Sequence, residues 1–107
     1  MPSLTDRGKR VGLRIPVHVT GRAIPGTPFA EATTSVNVSG GGICFESARQ
    51  LPVGSRVDLR IQLPPALRRH FGGRAVYAVR AVVCRLEHFE GSGIYRVGAR
   101  FVGTLEA

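Results

Sequence analysis

Residues 56–63, RVDLRIQL, alternate between polar and apolar side chains along their whole length. The apolar members are Val57, Leu59, Ile61 and Leu63. Successive side chains of a β-strand point to opposite faces, so a period of two is typical of a strand with one buried face. The stretch therefore predicts a strand that buries its apolar face and leaves its charged face in solvent.

Five other segments have strand-like composition, and turn-forming residues separate several of them. The strand-like segments are 15–20, 31–38, 42–46, 74–89 and 93–102, and the turn signals fall at 24–28, 51–55 and 89–93. Six short strands with such turns predict an all-β fold, a small antiparallel barrel or a sandwich. We favour a six-stranded antiparallel β-barrel because closure removes exposed strand edges. Pro64 precedes the segment PALRRHF, residues 65–71, and Pro65 begins it, so we expect at most one short helix there.

The chain has 107 residues, which suffice for one modest hydrophobic core. We predict a flexible N-terminal tail over residues 1–8 and a barrel domain over residues 9–103. No apolar run reaches about 18 residues, and the N-terminus has no signal-like apolar segment, so we expect a cytoplasmic protein without membrane insertion. Cys44 and Cys84 lie in apolar strand-like runs, where a buried free thiol is the expected state of each.

The charge of the chain is strongly positive, at +8, and fourteen of its fifteen basic residues are arginine. Arginine presents a planar fork of donors that pairs with phosphates and with the N7/O6 edge of guanine. We interpret most of these arginines as an ordinary solvated surface. The excess still favours a partner that carries negative charge.

Two short motifs carry the chemical signal. Arg10 and Arg14 stand in the order R-x-x-x-R directly before the first strand, and Asn37, Ser39 and Gly42 stand in the order N-x-S-x-x-G between the next two. Asn and Ser two apart on a strand would face one side and offer donors and acceptors to one planar ligand. The glycines would let a ligand approach the backbone and would permit positive φ in the turn. Taken alone, the first motif is better interpreted as a solvated surface pair and the second as a plain β-turn.

Together these motifs resemble the PilZ domain, a family that binds the bacterial second messenger cyclic di-GMP. The order of the remaining pieces is also similar, with RVGLRIPV at the start, LPVGSRVDLRIQL in the middle and YRVGARF at the end. The last piece resembles the family's G-x-x-F ending through Gly98 and Phe101. The resemblance extends from about residue 7 to residue 102 and implies a nucleotide receptor built on a β-barrel.

The resemblance implies that Arg10 and Arg14 contact the N7/O6 edge of guanine and the phosphates, with Lys9 adding a phosphate contact. A ligand held by this leader and by the barrel together would order the leader across the barrel surface. A downstream effector protein would then recognise the ordered form.

On the barrel, the resemblance implies that Asn37 and Ser39 read the opposite guanine edge or a phosphate. Gly41 and Gly42 would keep the turn clear of the ligand. The family's usual aspartate is replaced by Asn37, which has one carbonyl acceptor where a carboxylate accepts two N–H groups. We therefore expect a weaker contact from this side chain.

Two other functions stay open. The chain could be a degenerate member of the family that binds only protein partners, although both motifs are present. It could also be a small basic barrel that binds nucleic acid, although only 7% of its residues are aromatic and such barrels stack bases on aromatic rings. Neither an enzyme nor a metal site is expected, because His18, His70 and His88 are scattered and no suitable spacing links them to other ligands.

Overall fold

The computed structural model describes residues 14–23 and 26–105, which form six β-strands and one short 3₁₀ helix. The strands are β1 (Pro16–Ala23), β2 (Thr27–Val38), β3 (Gly42–Ser47), β4 (Arg56–Gln62), β5 (Val76–His88) and β6 (Tyr95–Thr104). The helix (Pro65–Phe71) lies where the proline-led segment predicted one. No helix in the described ranges is long and apolar enough to cross a membrane.

The six strands form a closed antiparallel barrel in the order β1-β2-β3-β6-β5-β4. Closure is made by β4 and β1, where Val17 is opposite Ile61 and Val19 is opposite Leu59. The predicted six-stranded barrel is therefore confirmed, and the sandwich alternative is excluded.

The core fills the barrel interior with the inward-facing members of each strand. Its most buried members include Val17, Val19, Ile43, Phe45, Val57, Leu59, Ile61, Val79, Val83 and Val97. At one end of the barrel the ring of Phe71 from the helix packs 5.0 Å from that of Tyr77, which lies 5.7 Å from that of Phe101. Because aliphatic and aromatic side chains occupy the interior, ligand contacts must lie on the outer surface.

Two details differ from the expectations drawn from the sequence. Strand β2 begins at Thr27, four residues before the predicted start, because Pro28 still pairs with Arg22 of β1. Cys44 is buried as expected, but the prediction for Cys84 is wrong, since its thiol is exposed. Val79, Ala81 and Val83 are the buried members of β5, so strand alternation places Cys84, the residue after Val83, on the outer face.

Candidate functional site

Ser35 fixes the point at which the chain enters the barrel. The Ile15 amide donates to Ser35 Oγ over 3.0 Å, and the Ser35 amide donates to the Ile15 carbonyl over 2.9 Å. Ser35 is fully buried, so these bonds are shielded from water. Arg14, the next residue toward the N-terminus, therefore has a defined position beside the end of β2. Ser35 is not predictable as part of the site from the sequence, because a serine in a Thr- and Ser-rich strand gives no sign of this role.

Arg14 extends its side chain over the outer surface toward β3. Its Nη1 lies 3.5 Å from Oε1 of Glu46, and the side chain is 61% exposed. Since β2 lies between β1 and β3, this ion pair spans β2 on the outer surface. The backbone of Arg14 lies near the N-x-S-x-x-G motif, because its neighbour Ile15 is bonded to Ser35, two residues before Asn37. Lys9, Arg10 and the predicted tail, residues 1–8, lie outside the described residues.

A β-bulge orients Asn37. Ser35 pairs with Phe45 and Asn37 pairs with Cys44. The pairing therefore moves two residues along β2 but only one residue along β3. Without the bulge, Asn37 would share the inward face of Ser35, because residues two apart on a regular strand point the same way. With it, Asn37 is half-buried on the outer face while the following residue, Val38, enters the core. Bulges commonly redirect side chains at functional sites.

Ser39 lies beyond the end of β2, and its hydroxyl is used within the turn. The Ser39 amide donates to the Gly42 carbonyl over 2.9 Å, and the Gly41 amide donates to Ser39 Oγ over 3.3 Å. Ser39 is only 1% exposed. The strand alternation that placed Asn37 and Ser39 on one face therefore does not extend to Ser39, which shapes the turn from inside.

Gly42 is needed for close packing between strands. A Cβ at this position would lie 2.6 Å from the Ala99 carbonyl oxygen of β6, well inside the closest contact that real Cβ atoms make. Its φ is not positive, so the expectation of a left-handed turn residue is wrong here. Beside it, the Gly41 carbonyl accepts a hydrogen bond from the Phe101 amide over 2.9 Å. These glycines join the turn to β6 and hold it flat against the barrel.

A row of paired residues runs across four strands from Asn37. Asn37 is opposite Cys44, Cys44 is opposite Gly98, and Gly98 is opposite Arg85. Gly98 has no side chain, and Arg85 covers the space beside it. The Nε of Arg85 would lie 3.7 Å from a Cβ placed at Gly98. A shallow cleft of about 300 Å³ adjoins this row and is lined by Cys84, Arg85, Gly98, Ala99 and Arg100. The outer surfaces of β6 and β5, two and three strands from Asn37, therefore carry the cations Arg100 and Arg85.

Glu46 and Arg96 add charges to this surface, and neither was predicted from the sequence as a site residue. Glu46 of β3 is opposite Arg96 of β6, and its Oε2 lies 3.9 Å from Arg96 Nη2. The Arg96 guanidinium also lies 5.0 Å from the ring centre of Phe89. Period-two alternation would have placed both residues outward, but the register that joins them depends on strand pairing.

The histidines form no reactive group with one another. His18 is exposed on the outer face of β1, and His88 stacks on Tyr95 with ring centres 4.5 Å apart. Over residues 14–23 and 26–105, no three His, Cys, Asp or Glu side chains are grouped closely enough to hold a metal ion. The described geometry thus offers cations, an amide and backbone donors for binding a ligand.

Comparison with known proteins shows that the candidate site lies within a single domain that covers almost the whole chain. The sequence model of the PilZ domain matches residues 6–107. No curated protein sequence matches the chain.

Solved structures share the fold at low sequence identity. MotI/DgrA, the inhibitor of motility of Bacillus subtilis, is 21% identical with a TM-score of 0.64, over 89% of this chain and 41% of that chain. MrkH of K. pneumonia in its apo state is 13% identical with a TM-score of 0.62, over 92% and 43%. The PilZ domain of YcgR from Escherichia coli, solved with cyclic di-GMP, is 15% identical with a TM-score of 0.52, over 84% and 75%. The chain spans less than half the length of the first two proteins.

Proposed function

Because the chain belongs to the PilZ domain family, we propose that it is a cyclic di-GMP receptor that relays the signal to a protein partner. The family consists of signalling receptor and adaptor domains, and we assign the chain no catalytic role. The observation that carries the proposal is the position of Arg14. Its guanidinium crosses β2 to reach Glu46, and its neighbour Ile15 is bonded to Ser35, two residues before Asn37. This position supports a site that Arg14 shares with the N-x-S-x-x-G motif.

Arg14 and Asn37 have complementary parts in this account. The Arg14 guanidinium donates to the N7/O6 edge of one guanine or to a phosphate, in the bidentate manner that arginine favours. Asn37 lies on the same face and offers one carbonyl acceptor and two N–H donors to the opposite guanine edge or a phosphate. Arg85, which covers Gly98 in the row that begins at Asn37, increases the positive potential that an anionic ligand meets.

The remaining motif residues complete the site in two ways. Arg10 and Lys9 supply further guanine and phosphate contacts from the leader. Ser39, Gly41 and Gly42 act through the turn, because the Ser39 hydroxyl is bonded inside it and Gly42 holds it against β6. A side chain at the turn would both disturb this packing and narrow the space over Asn37.

Titration calorimetry of the purified chain tests the proposal. The ligands are cyclic di-GMP, cyclic di-AMP and a single-stranded oligonucleotide, each at about 50 mM and about 200 mM salt. We expect saturable binding of cyclic di-GMP and at least about fivefold weaker binding of cyclic di-AMP, because adenine lacks the O6 acceptor. Tighter binding of the oligonucleotide, with a steep loss at high salt, would instead support a nucleic-acid-binding barrel.

A further inference from the structure

Glu46 is shared between two arginines from different parts of the chain. Its Oε1 lies 3.5 Å from Arg14 Nη1, and its Oε2 lies 3.9 Å from Arg96 Nη2. A strong charge-assisted N–H···O bond measures about 2.7–2.9 Å. Both contacts are longer, so the carboxylate is placed between two guanidinium groups without fully satisfying either of them.

Arg96 has a donor that finds no acceptor within residues 14–23 and 26–105. Its Nε is buried, and no hydrogen-bond partner lies within reach. Nη2 shares with Nε the edge of the guanidinium that binds an oxyanion through two parallel hydrogen bonds. Glu46 lies beside this edge but at 3.9 Å is too distant to use it. A buried donor without a partner costs free energy, which an incoming acceptor recovers.

Phe89 and the strand register hold Arg96 in place. The guanidinium lies 5.0 Å from the ring centre of Phe89, and the backbone is fixed between Glu46 of β3 and Glu87 of β5. A guanidinium held in this way loses little conformational entropy when it binds a ligand. Arg96 is therefore arranged in advance for an acceptor that the described residues do not supply.

We infer that Arg96 and Arg14 together bind one phosphate of the nucleotide, and that the Glu46 carboxylate holds that position in the free protein. The inference rests on the proposed function and deepens it. A phosphodiester has two non-bridging oxygens, which match the Nε–Nη2 edge of Arg96, and its single negative charge replaces that of Glu46 between the two cations. Glu46 is thus an internal competitor of the ligand.

This arrangement predicts that Glu46 and Arg96 have opposite effects on the affinity for the ligand. Removing the charge of Glu46 eliminates a repulsion between carboxylate and phosphate and frees both guanidinium groups. Removing Arg96 eliminates two hydrogen bonds to the phosphate. A residue with a purely structural role would lower affinity when substituted, so tighter binding after Glu46→Gln distinguishes competition from support of the fold.

The test is calorimetric titration of cyclic di-GMP into the wild-type chain and into Glu46→Gln, Arg96→Ala and Arg96→Lys. We expect Glu46→Gln to bind about three- to tenfold more tightly and Arg96→Ala to bind about tenfold or more weakly. Because Arg96 also packs on Phe89, Arg96→Lys is the variant that keeps the charge and most of the stem, and it should fall between the wild type and Arg96→Ala.

Two matched controls isolate the effect of position. Asp58→Asn makes the same charge change at an ion pair between Asp58 of β4 and Arg80, and Arg60→Ala removes an exposed arginine of β4; each should change affinity less than about threefold. Weaker binding by Glu46→Gln, or unchanged binding by both Arg96 variants, overturns the inference while leaving the receptor function in place. No binding by the wild-type chain overturns both.

Discussion

Ser35 and Ile15 exchange two hydrogen bonds at the entrance to the barrel, one through the Ser35 hydroxyl at 3.0 Å and one through its amide at 2.9 Å. Both residues are buried, and the residue before Ile15 is Arg14. A serine on the second strand therefore determines where Arg14, the arginine that we propose binds the ligand, leaves the barrel. We expect stability and affinity to be linked through this contact.

Substituting Ser35 by alanine should lower both the stability and the affinity for cyclic di-GMP. The buried Ile15 amide loses its acceptor, which costs about 1–3 kcal/mol. The backbone position of the preceding residue, Arg14, is then less well defined. In thermal unfolding a domain of this size loses about 4–8 °C per kcal/mol. Calorimetric titration of the same samples reports the affinity.

Ser47→Ala is the matched control for this prediction. Ser47 is also buried, at the end of β3 that is farther from Gly42. Its hydroxyl donates to Glu31 Oε1 over 2.7 Å. Its loss should lower the melting temperature and leave the affinity of the folded chain unchanged. Equal effects of the two variants on affinity would show that Ser35 has no special relation to Arg14.

Gly42 should tolerate no side chain. An alanine Cβ would lie 2.6 Å from the Ala99 carbonyl oxygen, and two paired backbones would have to separate. We expect Gly42→Ala to cost about 1–3 kcal/mol, as overpacking does elsewhere. Gly103 of β6 is the control, since a Cβ there meets nothing within 4 Å. Chemical denaturation should show Gly103→Ala within about 0.5 kcal/mol of the wild type; similar losses from both substitutions would contradict the packing argument.

Much of the fold follows from patterns within single strands. The alternation in residues 56–63 predicts β4 and its buried face correctly, and turn signals separate it from its neighbours. What could not be predicted depends on pairing between strands. The bulge beside Asn37 and the contact of Gly42 with Ala99 each follow from register, and no local pattern in the sequence encodes them.

The candidate site, like the fold, could be predicted only in part from the sequence. The residue types of the motifs point to Arg14 and Asn37, and both are at least partly exposed on the outer surface of the barrel. The same pattern suggested that Ser39 faces a ligand, but the strand ends at Val38 and the hydroxyl turns inward. Ser35 and Glu46 have no motif of their own, so only their contacts reveal them.

Removing the Ser39 hydroxyl should therefore weaken the turn more than the ligand contact. Ser39→Ala loses the bond from the Gly41 amide, a neutral interaction worth about 0.5–1.5 kcal/mol. We expect a lower melting temperature and an affinity for cyclic di-GMP within about threefold of the wild type. A loss of binding without a loss of stability would mean that the hydroxyl contacts the ligand directly.

The most direct test of the receptor function is a paired calorimetric titration of cyclic di-GMP into the wild-type chain and Arg14→Ala, with thermal unfolding of both. The Arg14 side chain is 61% exposed, and its ion pair with Glu46 is of the surface kind, worth about 0–1 kcal/mol. The account predicts saturable binding by the wild type, little or none by Arg14→Ala, and nearly equal melting temperatures. Equal affinity of the two proteins, or no binding by the wild type, would contradict it.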